Sequence, residues 1–151
     1  MAGSAEDGDL HHLQRFVDAQ QGVFAGVLAE LRVGRKASHW MWFVFPQLKG
    51  LGHSGMAQRY GIASLKEARA YLNHPILGLR LRECTRLVNQ IAGRSLMDIF
   101  GSPDNLKFCS SMTLFARANP ELGEFAEALN KYCAGREDAR TVGMISREKE
   151  G

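Results

Sequence analysis

Apolar residues recur at helical spacing between positions 77 and 91, and this stripe constrains the fold more than any other feature of the sequence. Its members stand at i, i+4, i+7, i+11 and i+14: Leu77, Leu81, Cys84, Val88 and Ile91. Such spacing places them on one face of an amphipathic helix. We expect that face to be buried and the opposite face, with Arg82, Arg86 and Asn89, to be exposed.

The remaining residues also favour helix over strand. Leu and Ala occur seventeen times each, whereas Val, Ile and Thr together number fifteen, and no stretch alternates cleanly between apolar and polar residues. Capping residues and prolines predict helices that begin near these positions: Asp9, Ser38, Ser64, Ser95, Pro103 and Pro120. The final RTVGMI stretch is typical of a short helix or an edge strand. The predicted fold is all-α, a single compact and irregular multi-helix domain.

The length of 151 residues indicates one domain, with a core that needs no metal or disulfide to be stable. We place this domain at residues 9–146, between a disordered tail at residues 1–8 and a charged tail at residues 147–151. No apolar run is long enough to span a membrane, and the first thirty residues lack a secretion signal pattern. The chain is expected to be cytoplasmic.

The cysteines and histidines give no sign of a metal site or cofactor. Cys84, Cys109 and Cys133 lie far apart and form no C-x-x-C pair, and the five histidines show no ligand spacing. An odd number of cysteines without an export signal predicts reduced thiols. We therefore expect no metal and no cofactor.

The charge of the chain is unevenly distributed. Residues 31–95 carry eleven Lys and Arg against two acidic residues, a charge of +9, whereas the rest of the chain carries −6. A basic middle suggests an anionic partner such as a phosphate or a nucleotide. The alternative is that folding interleaves both signs over a solvated surface. Nucleic-acid binding is disfavoured because the cations alternate with long apolar helical faces and form no Lys-rich arm.

The candidate anion site is the segment Gly34–His39, which places Arg35 and Lys36 just before a predicted helix start at Ser38. Free amides at a helix N-terminus attract anions, and cations there oppose the helix dipole unless something acidic is bound. We predict that Lys36, with the amides and side chains of Ser38 and His39, holds an anionic group. The alternative is an ordinary Ser cap flanked by solvated cations.

Two neighbouring segments are candidates for completing a pocket. In the apolar run HWMWFVF, Trp40 and Trp42 point in different directions on a helix, so most of the run is core and one indole is free to form a pocket wall. The loop that follows contains Gly50-x-Gly52-x-x-Gly55 without the strands of a dinucleotide-binding fold. We interpret it as a loop whose Gln47, Gly52 and Ser54 meet a ligand, or as a flexible loop only.

Small hydroxyl side chains lie beside an apolar stripe on the helix that follows Pro103. They are Ser110, Ser111 and Thr113, next to Phe108, Met112 and Phe115. Hydroxyls at such positions commonly bond back to the carbonyl four residues earlier, which allows close helix packing. The functional interpretation is a hydroxyl-lined pocket floor. It requires that loop 49–54, segment 36–39 and these hydroxyls lie close together.

Three long strings resemble the bacterial family called domain of unknown function 1810, and the mycobacterial conserved hypothetical members in particular. They are ELRVGRKASHWMWFVFPQLKGLGHS, RYGIASLKEARAYLNHPILGLRLRECT and IFGSPDNLKFCSSMTLFA. The resemblance covers residues 10–145 and implies a compact, mostly helical domain without an established activity. The run EARAYLNHPILGLRLRECT also resembles, remotely, a helix of the NADAR superfamily, which is linked to NAD and ADP-ribose processing. No catalytic residue is carried over from it.

These observations lead to two functional hypotheses. The first is an intracellular pocket for a phosphorylated, nucleotide-like ligand, derived from ADP-ribose or NAD, with hydrolysis of an N-glycosidic bond as its enzymatic form. The alternative is a non-catalytic protein-interaction module. Neither hypothesis involves a membrane.

Overall fold

The computed structural model describes residues 9–150 and contains, within them, ten α-helices and no β-strand. The helices are α1 (Gln14–Gln20), α2 (Phe24–Val33), α3 (Met41–Val44), α4 (Gly55–Tyr60), α5 (Leu65–Asn73), α6 (Leu77–Gln90), α7 (Leu96–Phe100), α8 (Asp104–Ala118), α9 (Gly123–Tyr132) and α10 (Ala139–Glu150). The predicted all-α class is confirmed. The predicted tail at residues 1–8 lies outside the described residues, and most of the predicted charged tail belongs to α10.

Helix α8 lies at the centre of the domain, packed against α5, α7, α9 and α10. Its apolar stripe of Phe108, Met112 and Phe115 is fully buried. Helix α6 packs against α2, α5 and α9 on the adjoining side. None of the helices among the described residues combines the length and the apolar character needed to cross a bilayer.

Two residues expected on the exposed face of α6 are not exposed: Arg82 is half-buried, with its Nε 3.0 Å from Oε2 of Glu124, and Asn89 is buried. The predicted stripe is buried except for its last member, Ile91, which is half-buried. Its first four members are at most 1% exposed: Leu77, Leu81, Cys84 and Val88. The prediction that Asn89 is exposed was wrong, because its Nδ2 donates to the backbone oxygen of Glu124 at 3.0 Å and the residue is only 8% exposed. A partner 35 residues away cannot be seen in the local pattern.

Several helix ends follow the predicted signals. Gly34 ends α2 in the left-handed conformation, with φ of 86°. Ser95 caps α7 in a reciprocal capping box with Asp98. The predicted cap at Ser38 was wrong, because α3 begins at Met41 and has no side-chain cap. Ser38 does not begin a helix, because its amide and hydroxyl donate hydrogen bonds to the carboxylate of Glu30.

Candidate functional site

The predicted anion site at residues 36–39 is occupied by an anion from the chain itself. The carboxylate of Glu30 accepts hydrogen bonds from the amides of Ala37 (2.6 Å) and Ser38 (3.0 Å) and from the Ser38 hydroxyl (2.6 Å). Burial alone raises the pKa of Glu30, but the hydrogen bonds from Ser38, Ala37 and Trp40 outweigh it and lower the pKa from 4.5 to about 2. The free amides that the sequence suggested are therefore already paired.

Lys36 is held in an ion pair. Its Nζ lies 2.9 Å from Oδ2 of Asp104 at the start of α8, and the two side chains are only 8% and 17% exposed. The backbone amide of Lys36 donates to the carbonyl of Ile99 at 2.7 Å. The cation that the sequence assigned to a ligand thus joins residues 36–38 to α7 and α8.

Trp40 and His39 differ in their surroundings. Trp40 is 2% exposed, and its indole Nε1 donates to Oε1 of Glu30 at 2.9 Å. His39 is exposed at the surface. Trp40 consequently forms part of the core beneath residues 36–38 and does not line the cleft described next.

A cleft of about 380 Å³ lies between α8, the loop at residues 47–52 and the start of α10. Its lining combines polar, charged and apolar side chains: Gln47, Leu51, Gly52, Pro103, Leu106, Lys107, Cys109, Ser110, Asp138 and Arg140. Three residues predicted for a ligand site, Gln47, Gly52 and Ser110, meet here. A volume of this size is within the range of small-molecule sites.

The loop that forms one wall is fixed by its backbone. The amide of Lys49 donates to the carbonyl of Ile62 at 2.8 Å, and the amide of Ile62 donates to the carbonyl of Gln47 at 2.9 Å. Gly52 is closely packed, because a Cβ there would lie 2.8 Å from the Cβ of Ala57. Ser54 caps α4 by accepting from the amide of Ala57 at 3.1 Å, outside the cleft lining.

Two cations line the cleft, Lys107 on α8 and Arg140 on α10. Lys107 Nζ is 3.6 Å from Oδ1 of Asp104, and it also lies 5.0 Å from the centre of the Trp42 ring. Trp42 is half-buried and lines a void of about 10 Å³ that shares Gln47 and Lys107 with the cleft. Trp42, unlike Trp40, therefore lies beside the cleft.

Asp138 is the acidic residue of the cleft lining, and its side chain is engaged in capping α10. Its Oδ2 accepts from the amide of Thr141 at 2.9 Å and from the Thr141 hydroxyl at 2.6 Å. These two hydrogen bonds orient the Asp138 carboxylate toward the first turn of α10.

The three hydroxyls of α8 have separate roles. Ser110 lines the cleft and donates to the carbonyl of Leu106 at 3.2 Å. Thr113 donates to the carbonyl of Cys109 at 2.8 Å and accepts from the amide of Asp138 at 2.8 Å. The hydroxyl of Ser111 is fully buried without a hydrogen-bond partner among the described residues. Ser110 and Thr113 therefore make the hydrogen bond to the carbonyl four residues earlier that was the alternative to a pocket floor.

The prediction of three reduced thiols was wrong for two of them. Cys109 and Cys133 form a disulfide with their Cα atoms 6.1 Å apart, whereas Cys84 is free and buried. The pair was missed because 24 residues separate the two cysteines and the fold brings the end of α9 against the middle of α8. The spacing of cysteines along the chain carries no signal for such a contact.

Sequence reasoning also missed the two cations of the cleft. Lys107 and Arg140 lie outside residues 31–95, in the part of the chain whose net charge is negative. The signal that was present is the position of Lys107 three residues before Ser110, on the same face of α8. Arg140 enters the cleft only through the packing of α10 on α8. Among the described residues, no three His, Cys, Asp or Glu side chains come close enough to hold a metal ion.

Comparison with known proteins identifies the family. The family described as protein of unknown function DUF1810 matches residues 10–145, nearly the whole chain. The chain belongs to this family. The crystal structure of the conserved hypothetical protein Rv1873 from Mycobacterium tuberculosis, at 1.38 Å, matches with a TM-score of 0.88 and 61% identity, over 89% of this chain and 96% of that one. No curated protein matches significantly.

Proposed function

We propose that this member of the DUF1810 family binds a small phosphorylated, nucleotide-like ligand in the cleft between α8, residues 47–52 and α10. The observation that supports this most directly is that Lys107 and Arg140 line one cleft. Two cations at a partly enclosed site bind a phosphate more strongly than the same cations spread over a surface.

The composition of the cleft suits a ligand with a phosphate and a flat apolar part. Leu51, Pro103 and Leu106 supply apolar contacts, and Gln47 and Ser110 supply hydrogen-bonding groups. Such a mixture of mostly apolar lining with a few polar groups is typical of small-molecule sites. The half-buried ring of Trp42 lies next to the cleft, within reach of a base that extends past Lys107.

The cleft is preferred to the depression beside Glu30. That depression, of about 680 Å³, is lined by Glu30, Val33, Arg35 and their neighbours. The Glu30 carboxylate already pairs with the amides of Ala37 and Ser38, which an anion would need. An anionic ligand there would have to displace Glu30, whose carboxylate accepts four hydrogen bonds. A ligand in the cleft competes instead with the longer contact of 3.6 Å between Lys107 and Asp104.

Binding is the core of the proposal, and ADP-ribose and NAD are the first ligands to examine. General acid or base catalysis of glycosidic hydrolysis needs a free carboxylate at the ligand. The carboxylate of the cleft lining, Asp138, is occupied by Thr141. A cytoplasmic location is part of the proposal, because the predicted ligand class is found there.

A ligand screen by thermal shift tests the proposal. The full chain is heated with phosphate, ADP-ribose, NAD, mononucleotides, sugar phosphates and unphosphorylated ribose. A ligand present at about 100 times its Kd stabilises the folded state by about 2.7 kcal/mol. We expect stabilisation by phosphorylated compounds and none by ribose, followed by titration calorimetry of the best compound.

Paired variants locate the site. Lys107→Gln and Arg140→Gln are expected to weaken binding by roughly ten- to a hundredfold each, the size of one hydrogen bond to a charged group. Arg32→Gln, on the exposed face of α2, serves as the control. If no phosphorylated compound shifts the melting temperature, the ligand pocket is rejected and the interaction module becomes the better hypothesis.

A further inference from the structure

The Cys109–Cys133 disulfide lies at the wall of the cleft. Cys109 lines the cleft two residues from Lys107, and both cysteines are only partly buried. A small molecule that enters the cleft therefore reaches the same wall that carries the disulfide. Disulfides found in a reducing compartment are commonly transient and catalytic or redox-sensing, because the cellular thiol pool reduces the others.

We propose that Cys109–Cys133 is a thiol–disulfide exchange site whose substrates are anionic thiols, that is, small thiols that carry a carboxylate, a sulfonate or a phosphate. The inference rests on the proposed function, because Lys107 and Arg140 are the groups that recruit the anion in both. It adds a reaction to that site and names a class of substrate for it.

The exchange proceeds in two balanced steps. The thiolate of the substrate attacks Sγ of Cys109, a mixed disulfide forms, and Cys133 leaves as a thiolate that takes a proton from water. A second substrate thiolate attacks the substrate sulfur of the mixed disulfide. The symmetrical disulfide of the substrate forms, and Cys109 leaves as a thiolate. Two electrons pass from two thiols to the protein disulfide, and the reverse sequence oxidises the protein.

The segment that carries Cys133 stays attached when the disulfide opens. Thr113 and Arg117 follow Cys109 at intervals of four residues along α8. Thr113 accepts a hydrogen bond from the amide of Asp138, and Arg117 forms a bidentate ion pair with Glu137 at 2.6 and 2.8 Å. These two contacts hold residues 137–138 against α8 without the S–S bond, so we expect reduction to leave the fold intact.

The third cysteine takes no part in the exchange. Cys84 is fully buried on α6, and this burial raises the pKa of its thiol from 9.0 to about 12. Since the thiolate is the attacking species, Cys84 neither competes for the mixed disulfide nor shuffles with Cys109 and Cys133. The number of thiols that react in the folded protein therefore reports on Cys109 and Cys133 alone.

The charge preference of reduction tests the proposal. The oxidised full chain is incubated with excess mercaptoethanesulfonate (anionic), mercaptoethanol (neutral) or cysteamine (cationic). Aliquots of the folded protein are alkylated, and the number of free thiols is measured by mass spectrometry. Each rate is divided by the thiolate concentration and by the rate of the same thiol with a neutral model disulfide. We expect the anionic thiol to exceed the cationic one by about tenfold, and its mixed disulfide to map to Cys109.

Charge variants supply the control. Arg140→Glu is expected to reverse the preference toward cysteamine, Lys107→Gln to reduce it, and Arg32→Gln to leave it unchanged. Equal normalised rates for the three thiols, or a preference that survives the combined Lys107→Gln and Arg140→Glu changes, overturn the exchange site. Binding of phosphorylated ligands without any thiol preference overturns this inference alone, whereas a thiol preference without phosphate binding overturns the proposed function alone.

Discussion

The indole N–H of Trp40 donates a hydrogen bond to the carboxylate of Glu30 at 2.9 Å. The same carboxylate accepts from the amides of Ala37 and Ser38. Paired cations at Arg35 and Lys36 next to free amides suggested a place where an anion was required. These amides do bind an anion, but that anion is the carboxylate of Glu30, ten residues before Trp40.

The stability of the protein is expected to depend on pH through Glu30. Its pKa is lowered to about 2 in the folded state, so the unfolded chain binds a proton more readily than the folded one. The stabilisation is complete above the ordinary pKa of 4.5 and is lost as the pH falls from 4.5 toward 2. With allowance for solvent screening it amounts to about 1–2 kcal/mol.

Urea unfolding of the wild type and Glu30→Gln between pH 6 and pH 3 measures this contribution. The two free energies of unfolding should differ by that amount at pH 6 and converge as the pH falls. Glu127→Gln, at an exposed position of α9, is the matched control for loss of a carboxylate. A constant difference between wild type and Glu30→Gln at every pH contradicts the assignment.

Lys36 and Lys107 are expected to separate stability from binding. Lys36→Ala removes the closer of the two lysines that contact Asp104 (2.9 Å, against 3.6 Å for Lys107), and it should cost about 2 kcal/mol of unfolding free energy. The assignment of Lys36 to an anion site, made from the sequence, predicts instead a weaker ligand affinity for this variant. Lys107→Gln should cost less stability, because its contact to Asp104 is longer at 3.6 Å, and it should weaken anion binding. Calorimetric titration and urea unfolding of both variants decide whether Lys36 stabilises the fold or binds the ligand. If Lys36 is the ligand contact, Lys36→Ala weakens binding and Lys107→Gln does not.

The parts of the fold that were predictable depend on local patterns. The stripe on α6, the left-handed end of α2 at Gly34 and the cap of α7 at Ser95 are all decided by residues within one or two helical turns. The errors at Ser38 and at Asn89 come from partners 8 and 35 residues away. A side chain whose partner is distant in sequence leaves no periodic signal.

The candidate site was only partly predictable for the same reason. Gln47, Gly52 and Ser110 do meet in one cleft. The cations of that cleft, Lys107 and Arg140, come from two helices that associate only in the folded chain. Net charge along the sequence pointed to residues 31–95, but the Lys36 found there pairs with Asp104. One wall of the cleft, at residues 47–52, lies in that segment, but the charge distribution did not locate the two cations of the cleft.

Substitutions on α6 should separate the buried stripe from the solvent face. Leu81→Ala should cost about 2–5 kcal/mol of unfolding free energy, because it leaves a cavity at a residue 1% exposed. Asn89→Ala should cost about 1–3 kcal/mol, because the backbone oxygen of Glu124 loses its donor.

Arg86 supplies the contrast on the same helix. Its side chain is 54% exposed, and Arg82 retains its own contacts to Glu124 when Arg86 is lost. Arg86→Ala should therefore change the unfolding free energy by no more than about 0.5 kcal/mol. Equal costs for Leu81→Ala and Arg86→Ala in chemical denaturation would show that the helical phase is wrong.

Loss of the disulfide should lower stability through the unfolded state. Closing a loop between residues separated by 24 positions reduces the entropy of the unfolded chain and stabilises the folded state by about 3 kcal/mol. We expect the doubly substituted Cys109→Ser, Cys133→Ser protein to keep its helical circular dichroism and to unfold at lower urea concentration. Wild type treated with a strong reductant should match it, whereas Cys84→Ser tests the buried thiol separately.

The close approach of α5 and α6 at Gly78 gives the strongest contrast between two similar substitutions. A Cβ at position 78 would overlap the carbonyl oxygen of Leu72, which is backbone and cannot rotate away. Gly26 on α2 is also helical, but a Cβ there meets nothing within 4 Å. Gly26→Ala should stabilise the protein by about 0.5–1 kcal/mol, because alanine favours helix and restricts the unfolded chain.

Gly78→Ala should instead destabilise the protein by about 2 kcal/mol or more, because α6 must move away from α5 to admit the methyl group. Both variants change one glycine to alanine within a helix, so their intrinsic helix propensities change equally and the difference in unfolding free energy reports the steric contact alone. Since α6 also packs against α9, its displacement should affect the Glu124 contacts as well. Urea unfolding of the two variants side by side measures the difference, and a stabilising effect at both positions would place α6 farther from α5 than described.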